Sequence, residues 1–424
     1  MFIVYSRRIK SLFVALGLLG LFASFNLAAQ TLPLTAADEQ AFQAWITNDL
    51  KPRARAEGIS PATLDKAFEN VKLNQRVLEL DRHQPEFTRT FWQYLESAVS
   101  DWRIKRGKEM LATHQKLLDE VTEKYGIPGR FLVAFWGLET NYGNFTGSFP
   151  VIESLATLSY DQRRSTFFTK QLIYALQILD EGHIPFEQMK GSWAGAMGQT
   201  QFMPYNYLRY TVDADNTGRK DMWNSMEDVF HSSGNFLQNL GWKREETWGR
   251  EVSLPKNFDF AIADGRTQRP LAEWQQMGIR QADGSHLPSA DISAALLIPS
   301  DYRGPAFLVY HNFNVIKRWN MSNNYAIAVG HLADRIIDAP TLVAKKPADD
   351  AALTRAQIID MQQRLNQLGY DVGGADGIPG ARTRAGIRAF QATHNIPADG
   401  APTMNMLNRL QKATQANQAT QTTR

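Results

Sequence analysis

The residue best placed to do acid–base chemistry is Glu139. It follows the run Phe131-Leu-Val-Ala-Phe-Trp-Gly-Leu138, which is apolar on every face of a helix, and it falls on the stripe of Leu132, Phe135 and Trp136. Carboxylates seldom occupy such positions unless paired or functional. Desolvation among these neighbours and the negative end of a helix dipole would both raise its pKa. A carboxyl kept neutral near pH 7 can protonate a leaving oxygen, the first requirement for cleaving a glycosidic bond. Burial pattern alone leaves two other arrangements open: an ion pair with an arginine, or escape to solvent at the helix end.

A second segment, Gly191-Ser-Trp-Ala-Gly-Ala-Met-Gly-Gln-Thr-Gln-Phe-Met-Pro204, is rich in small residues. Its glycines permit tight backbone paths, while Trp193, Gln199, Gln201 and Phe202 offer ring faces and amides of the kind sugars bind. Close packing between helices explains the small residues equally well.

The elements that position these residues read as mainly α. Ser60-Pro61 and Pro85 start helices, Gly126 closes a charged amphipathic stretch from near Asp101, and Pro128 opens a short helix that Gly143 can end. Further helices are expected from Ser159 to Gly182, from Ser225 and Asp228 as a capping box to Gly241, and from Asn323 to Asp338. Between Trp248 and Tyr310 the short runs Arg250 to Leu254 and Ala306 to Tyr310 predict a small β-containing insertion. Residues 339–353 read as a flexible linker, 354–411 as three short helices around Asp376-Gly377 and Asp399-Gly400 turns, and 412–424 as a disordered tail.

Composition narrows the function classes. Arg7, Arg8 and Lys10, an apolar run to Leu27 and then Ala28-Ala29 read as a cleaved signal peptide, residues 1–29, with an uncleaved anchor as the alternative. That segment carries three basic residues and no acid, equal to the whole formal charge of +3, so residues 30–424 are neutral and no basic patch suggests nucleic acid. With no cysteine, disulfides, thiolate metal sites, cysteine nucleophiles and a lipoprotein anchor are excluded. Export without disulfides fits a periplasm. The eight histidines show no zinc spacing.

Trp136-Gly-Leu-Glu-Thr-Asn-Tyr-Gly143, Gly195-Ala-Met-Gly198 and Gln201-Phe-Met-Pro204, in this order, resemble the lytic murein transglycosylase B family over about residues 36 to 338. The resemblance implies a lysozyme-like helical core with an added helical domain and a small β-containing domain, hence a catalytic region over 30–338. It places the catalytic acid/base on Glu139 and cleft-lining polar groups that orient its carboxyl on Ser192 and Gln201, beside Phe202. The stretch Trp319-Asn-Met-Ser-Asn-Asn-Tyr325 is similar to the family's aromatic-Asn motif, which nominates Trp319, Asn320 and Tyr325; Trp319 stands where some relatives have Tyr. Asn320 and Asn323 could instead cap the next helix, and for Asn323 capping is the preferred reading. Glu153 and Asp161 are read as structural, Asp161 as a helix cap.

The implied reaction cuts the β-1,4 bond between N-acetylmuramic acid and N-acetylglucosamine in peptidoglycan, leaving 1,6-anhydro ends. One carboxyl suffices because the substrate's N-acetyl group assists, a recognised departure from the two-carboxylate pattern. A lysozyme-type hydrolase and a non-catalytic wall-binding scaffold are the alternatives. Residues Leu365-Asn-Gln-Leu-Gly-Tyr370, Thr383-Arg-Ala-Gly-Ile-Arg-Ala-Phe-Gln391 and the two Asp-Gly turns resemble the three-helix peptidoglycan-binding domain, whose Leu365, Leu368, Ile387, Phe390 and Leu407 read as core. The expected partners are glycan strands, with cell-wall synthesis or division proteins as candidate recruiters.

No cofactor is required by this chemistry. Asp213-Ala-Asp-Asn-Thr-Gly-Arg-Lys-Asp221 resembles the start of a calcium-binding EF-hand, with Asp213, Asp215, Thr217 and Asp221 as ligands. The twelfth position is Asn224 instead of a bidentate Glu, so weak or no calcium affinity is expected.

Overall fold

The computed structural model describes residues 33–82 and 89–422. The expected signal peptide and the helix start at Pro85 lie outside the described residues. Among those described, no helix is long and apolar enough to cross a membrane.

The fold is mostly helical with small sheets, as the sequence predicts. One hydrophobic core runs from Phe42 to Ile336 and joins the N-terminal helices to the region around Glu139. The helix Gly129–Thr140 lies at its centre, with Phe131 to Gly137 all buried. It packs against Asn323–Ile336, Asp101–Thr113 and Gln115–Tyr125. Several boundaries differ from the periodicity reading. The charged stretch breaks at His114 into two helices, and the helix expected from Ser159 to Gly182 spans Ser165–Asp180, after a separate helix Val151–Tyr160. Asp161 ends the first of that pair and binds Arg82, while Glu153 accepts from the Asn74 side chain at 2.7 Å, so both are structural.

The insertion forms a five-stranded antiparallel sheet in the order Arg269–Pro270, Ser293–Leu297, Ala306–Val309, Gly249–Ser253, Arg280–Gln281. Strands Ser293–Leu297 and Ala306–Val309 carry almost no polar residues because both of their faces are covered. Alternation sends Ala295, Leu297, Phe307 and Val309 into the main core, and Ala294, Leu296, Ala306 and Leu308 into a second core around Trp274 and Tyr310. The sheet is therefore a wall between two packed layers.

The C-terminal module has helices Arg355–Gln367, Ala381–Thr393 and Met404–Thr422 around Met361, Leu365, Ile387, Phe390, Leu407 and Leu410. Its two Asp-Gly turns are pinned alike. Buried Gln362 accepts from the Gly377 N–H and donates to Asp376; buried Gln391 accepts from the Gly400 N–H and donates to Asp399.

Two expectations are overturned here. The segment 412–424 is not disordered over its described part: the last helix continues to Thr422, favoured by Ala and Gln, and Arg364 binds the Thr414 hydroxyl at 2.7 Å. The segment 339–353 is irregular but is no free tether. Val343 and Ala344 N–H groups donate to Glu251, Lys346 pairs with Glu96, and Asp349 with Arg303, while Asp350 accepts from Thr90. The module also touches the β insertion directly, where the Tyr302 N–H donates to Asp399 at 2.7 Å.

Candidate active site

Glu139 occupies the last turn of Gly129–Thr140, one residue before its end. The residue is half-buried, flanked on its helix by buried Phe135 and Trp136. Its carboxyl accepts a hydrogen bond from the Tyr325 hydroxyl at 2.5 Å. Burial pushes its pKa up from 4.5 to about 7, against the lowering effect of hydrogen bonds from Tyr325 and Trp319. No second carboxylate is among the groups that govern its ionisation. The Tyr325 phenol is itself held far above its usual range by burial, then by the adjacent Glu139 charge, so it stays a donor.

Why the sequence folds this way after Glu139 can be traced residue by residue. The helix ends on Asn141, with φ of 51°, and Tyr142 follows at 59° and Gly143 at 79°, so the chain turns through three left-handed residues and not at Gly143 alone. Two non-glycine residues in that region cost about 1–3 kcal/mol each and persist only where the surroundings impose the conformation. Here they do. The Tyr142 ring lies edge-on to Trp136 and its hydroxyl donates to the Arg103 carbonyl at 2.7 Å, over Gly137, where a Cβ would sit 2.6 Å from the ring. Arg103 caps the helix by donating to the Gly137 carbonyl and the Asn141 side chain, and its recorded bonds do not include Glu139.

The small-residue segment packs against this turn. Gln199 accepts from the Trp136 indole N–H at 2.8 Å and donates to the Trp223 carbonyl, and its own carbonyl takes the Thr140 hydroxyl at 2.7 Å. A Cβ at Gly143 would meet the Gln199 amide at 2.4 Å. Gln199 and Thr140 thus lock the acid helix to the loop. The motif holds Trp136, Thr140, Gly143 and Gln199, but no local pattern pairs them.

The other nominated residues divide. Tyr325 meets Glu139, and half-buried Trp319 packs tilted against Phe135, ring centroids 4.4 Å apart, while supporting the carboxyl. Phe202 is 1% exposed and packs on Phe236 and Trp319, so it is core and not a sugar contact. Gln201, at φ of 52°, donates to the Thr146 and Gly198 carbonyls, and Ser192 accepts from the Ala196 N–H; these bonds shape the loop and neither recorded set includes Glu139. Exposed Asn320 accepts from the Ser322 N–H, and Ser322, not Asn323, caps the helix bearing Tyr325.

In the acidic loop, oxygens of Asp213, Asp215 and Asp228 lie within 4.8 Å of one another. Asp228, read from sequence as half of a capping box, is the third acid; its carboxylate holds the Ala214 and Asp221 N–H groups, each at 2.7 Å. Asp221 turns instead to the Trp223 and Asn224 N–H groups, and Thr217 contributes its N–H to Asp213 and Asp215, so neither joins the cluster. Three convergent carboxylates suit a hard divalent cation. A cavity of about 580 Å³ lies elsewhere, between the β insertion and the C-terminal module.

Residues 41–334 match the model of the transglycosylase SLT domain. The chain belongs to the transglycosylase SLT family. Its members include lytic transglycosylases, enzymes that act on peptidoglycan, and residues 354–410 match the putative peptidoglycan binding domain. The transglycosylase is similar to SltB3 from Pseudomonas aeruginosa in complex with NAG-anhNAM-pentapeptide, with a TM-score of 0.84 and 45% identity over 87% of this chain and 99% of that one. It is similar to soluble lytic transglycosylase SltB1 of the same organism, at a TM-score of 0.60 and 29% identity over 70% and 97% of the chains. It is 28% identical to membrane-bound lytic murein transglycosylase B of Escherichia coli over 58% of this chain and 66% of that protein, just under two thirds of its length.

Proposed function

We propose that the chain cuts the β-1,4 bond between N-acetylmuramic acid and N-acetylglucosamine in peptidoglycan without water, with Glu139 as its single acid and base. The observation that carries this is a half-buried carboxyl whose pKa is about 7 and whose ionisation no second carboxylate governs. Protonated Glu139 gives its proton to the glycosidic oxygen as the C1–O bond breaks. The muramyl N-acetyl oxygen attacks C1 and holds the positive charge. Glu139, now ionised, takes the proton of the C6 hydroxyl, and O6 attacks C1 as the acetamido oxygen leaves, closing the 1,6-anhydro ring. The Tyr325 hydroxyl stabilises the ionised state between these steps. The catalytic region would span residues 30–338 in the periplasm, with residues 354–411 binding the wall.

Asp213, Asp215 and Asp228 would hold a calcium ion in a structural role, supplying three of its oxygen ligands.

Mass spectrometry of sacculus digests tests the reaction. The expected products end in 1,6-anhydromuramic acid, Glu139→Gln lowers their release at least about 10³-fold, and products one water heavier would establish hydrolysis instead.

A further inference from the structure

Half-buried Gln199 engages all four of its polar atoms, and none of these bonds is to Glu139. Its side chain accepts from the Trp136 indole N–H at 2.8 Å and donates to the Trp223 carbonyl at 2.8 Å. Its main chain bridges the same two parts: the carbonyl takes the Thr140 hydroxyl at 2.7 Å, and the N–H donates to the Met222 carbonyl at 2.8 Å. One residue therefore grips the acid helix on either side of Glu139 in sequence, and is gripped from behind by Met222 and Trp223.

The two grip points lie where they can set the direction of the carboxyl. Trp136 and Thr140 stand one turn apart on one face of Gly129–Thr140, with Glu139 beside them on the same turn. Holding both fixes the rotation of that last turn about the helix axis, while the carboxyl meets the Tyr325 hydroxyl at 2.5 Å. At the roughly 5–6 Å radius of helix side-chain ends, a rotation of about 10° moves a carboxyl by about 1 Å, enough to part such a pair. The anchor behind Gln199 is itself fastened. Met222 is buried, and a Cβ on Gly198 would lie 2.5 Å from its carbonyl oxygen. The Trp223 N–H donates to the Asp221 carboxylate at 2.9 Å, and the Asp221 N–H donates to Asp228 at 2.7 Å. A line of hydrogen bonds thus runs from Asp228 through Asp221, Trp223 and Gln199 to Trp136 in the acid helix.

We propose that Gln199 is a positioning residue for the reaction: it aims the Glu139 carboxyl by fixing the last turn of the acid helix through Trp136 and Thr140, with the loop of Met222 and Trp223 as its anchor. The inference rests on the reading above of Glu139 as the acid. Misplacing a reacting group by about 1 Å can cost about 10²-fold in rate, so the loss of this grip appears in turnover and not in substrate binding. It also appears in the ionisation of Glu139. Burial is the largest cause of the raised pKa, so a carboxyl that swings away from Tyr325 towards water titrates lower.

Steady-state turnover of soluble glycan fragments by the full-length protein, together with the Glu139 titration midpoint, tests this. Gln199→Met keeps the length of the side chain and both main-chain bonds but removes the amide. It should lower kcat by about ten- to a hundredfold, leave KM within about twofold, and move the Glu139 midpoint down from about 7 towards 4.5. Thr140→Val removes the hydroxyl that the Gln199 carbonyl accepts and should lower kcat in the same way, whereas Thr140→Ser keeps that hydroxyl and should retain most of the rate. Asp221→Ala loosens the anchor and should cost a severalfold loss in the unmodified chain but no further loss in Gln199→Met, because both act through one contact chain. A Gln199→Met protein that melts at a lower temperature with kcat and the Glu139 midpoint unchanged would make the residue structural only and overturn the proposal. Equal rates for Thr140→Val and Thr140→Ser would overturn it too, and that pair decides alone if Gln199→Met does not fold. Hydrolysed ends whose release still depends on Gln199 would sink the reaction proposed above and leave this role standing. Anhydro ends released by Gln199→Met at the unmodified rate would do the reverse.

Discussion

Glu139 and Asp228 are both acids whose pKa burial raises, yet the structure treats them in opposite ways. Asp228 takes two backbone N–H groups at 2.7 Å and sits beside Asp213 and Asp215, so its surroundings are built around a carboxylate. Glu139 has only side-chain donors, the Tyr325 phenol at 2.5 Å and Trp319, with buried Phe135 and Trp136 beside it on its helix, so its surroundings suit the neutral acid almost as well as the anion. What separates a reactive carboxyl from a structural one is whether fixed backbone N–H groups are aimed at it, more than its burial.

Three perturbations sharpen that contrast. The largest effect is expected from Glu139→Gln on stability. The folded pKa lies above the ordinary 4.5, so folding favours the protonated form and wild-type stability falls as pH rises from about 4.5 through about 7. At about 1.4 kcal/mol per pKa unit, the Gln variant should be more stable by about 3 kcal/mol at pH 9 and equal below pH 4, read from chemical denaturation. Next, Asp228→Ala strands two N–H donors and should lose about 2 kcal/mol at pH 7. Calcium at saturating concentration should raise the melting temperature of the wild type by a few degrees and leave the variant unmoved; an equal rise in both would remove the cation from the loop. The smallest effect belongs to Tyr325→Phe. Losing a donor to the ionised acid raises the Glu139 pKa further, so the alkaline limb of kcat/KM should move upward while the plateau rate falls about tenfold.

How much of this was legible in the sequence follows the same divide. Glu139 stood out because its helix is apolar on every face, and Tyr325 and Trp319 came from the aromatic-Asn resemblance. The Gln199 hub did not stand out, since its partners Trp136 and Thr140 lie some sixty positions away and only tertiary packing joins them. Phe202 read as a sugar platform because an aromatic ring suits a cleft and a core alike. Asp228 was hidden by its helix-start position, where a capping box is the ordinary explanation. Its carboxylate leaves the helix and closes the loop. The linker misled for a different reason. Ala, Pro and charge signal flexibility on average, but Glu251, Glu96, Arg303 and Thr90 hold this one in place. In the β insertion, Ser293–Leu297 gave no alternating strand signal because both of its faces are buried.

The most direct measurement is the titration of Glu139 itself, by carbon-detected NMR of side-chain carboxyls in the unliganded protein with Glu139→Gln to assign the resonance. Protonation with a midpoint at about 7 is the predicted result. A midpoint near 4.5 would mean that the carboxyl is ionised and hydrated at neutral pH, and Glu139 could not serve as the acid that starts the reaction.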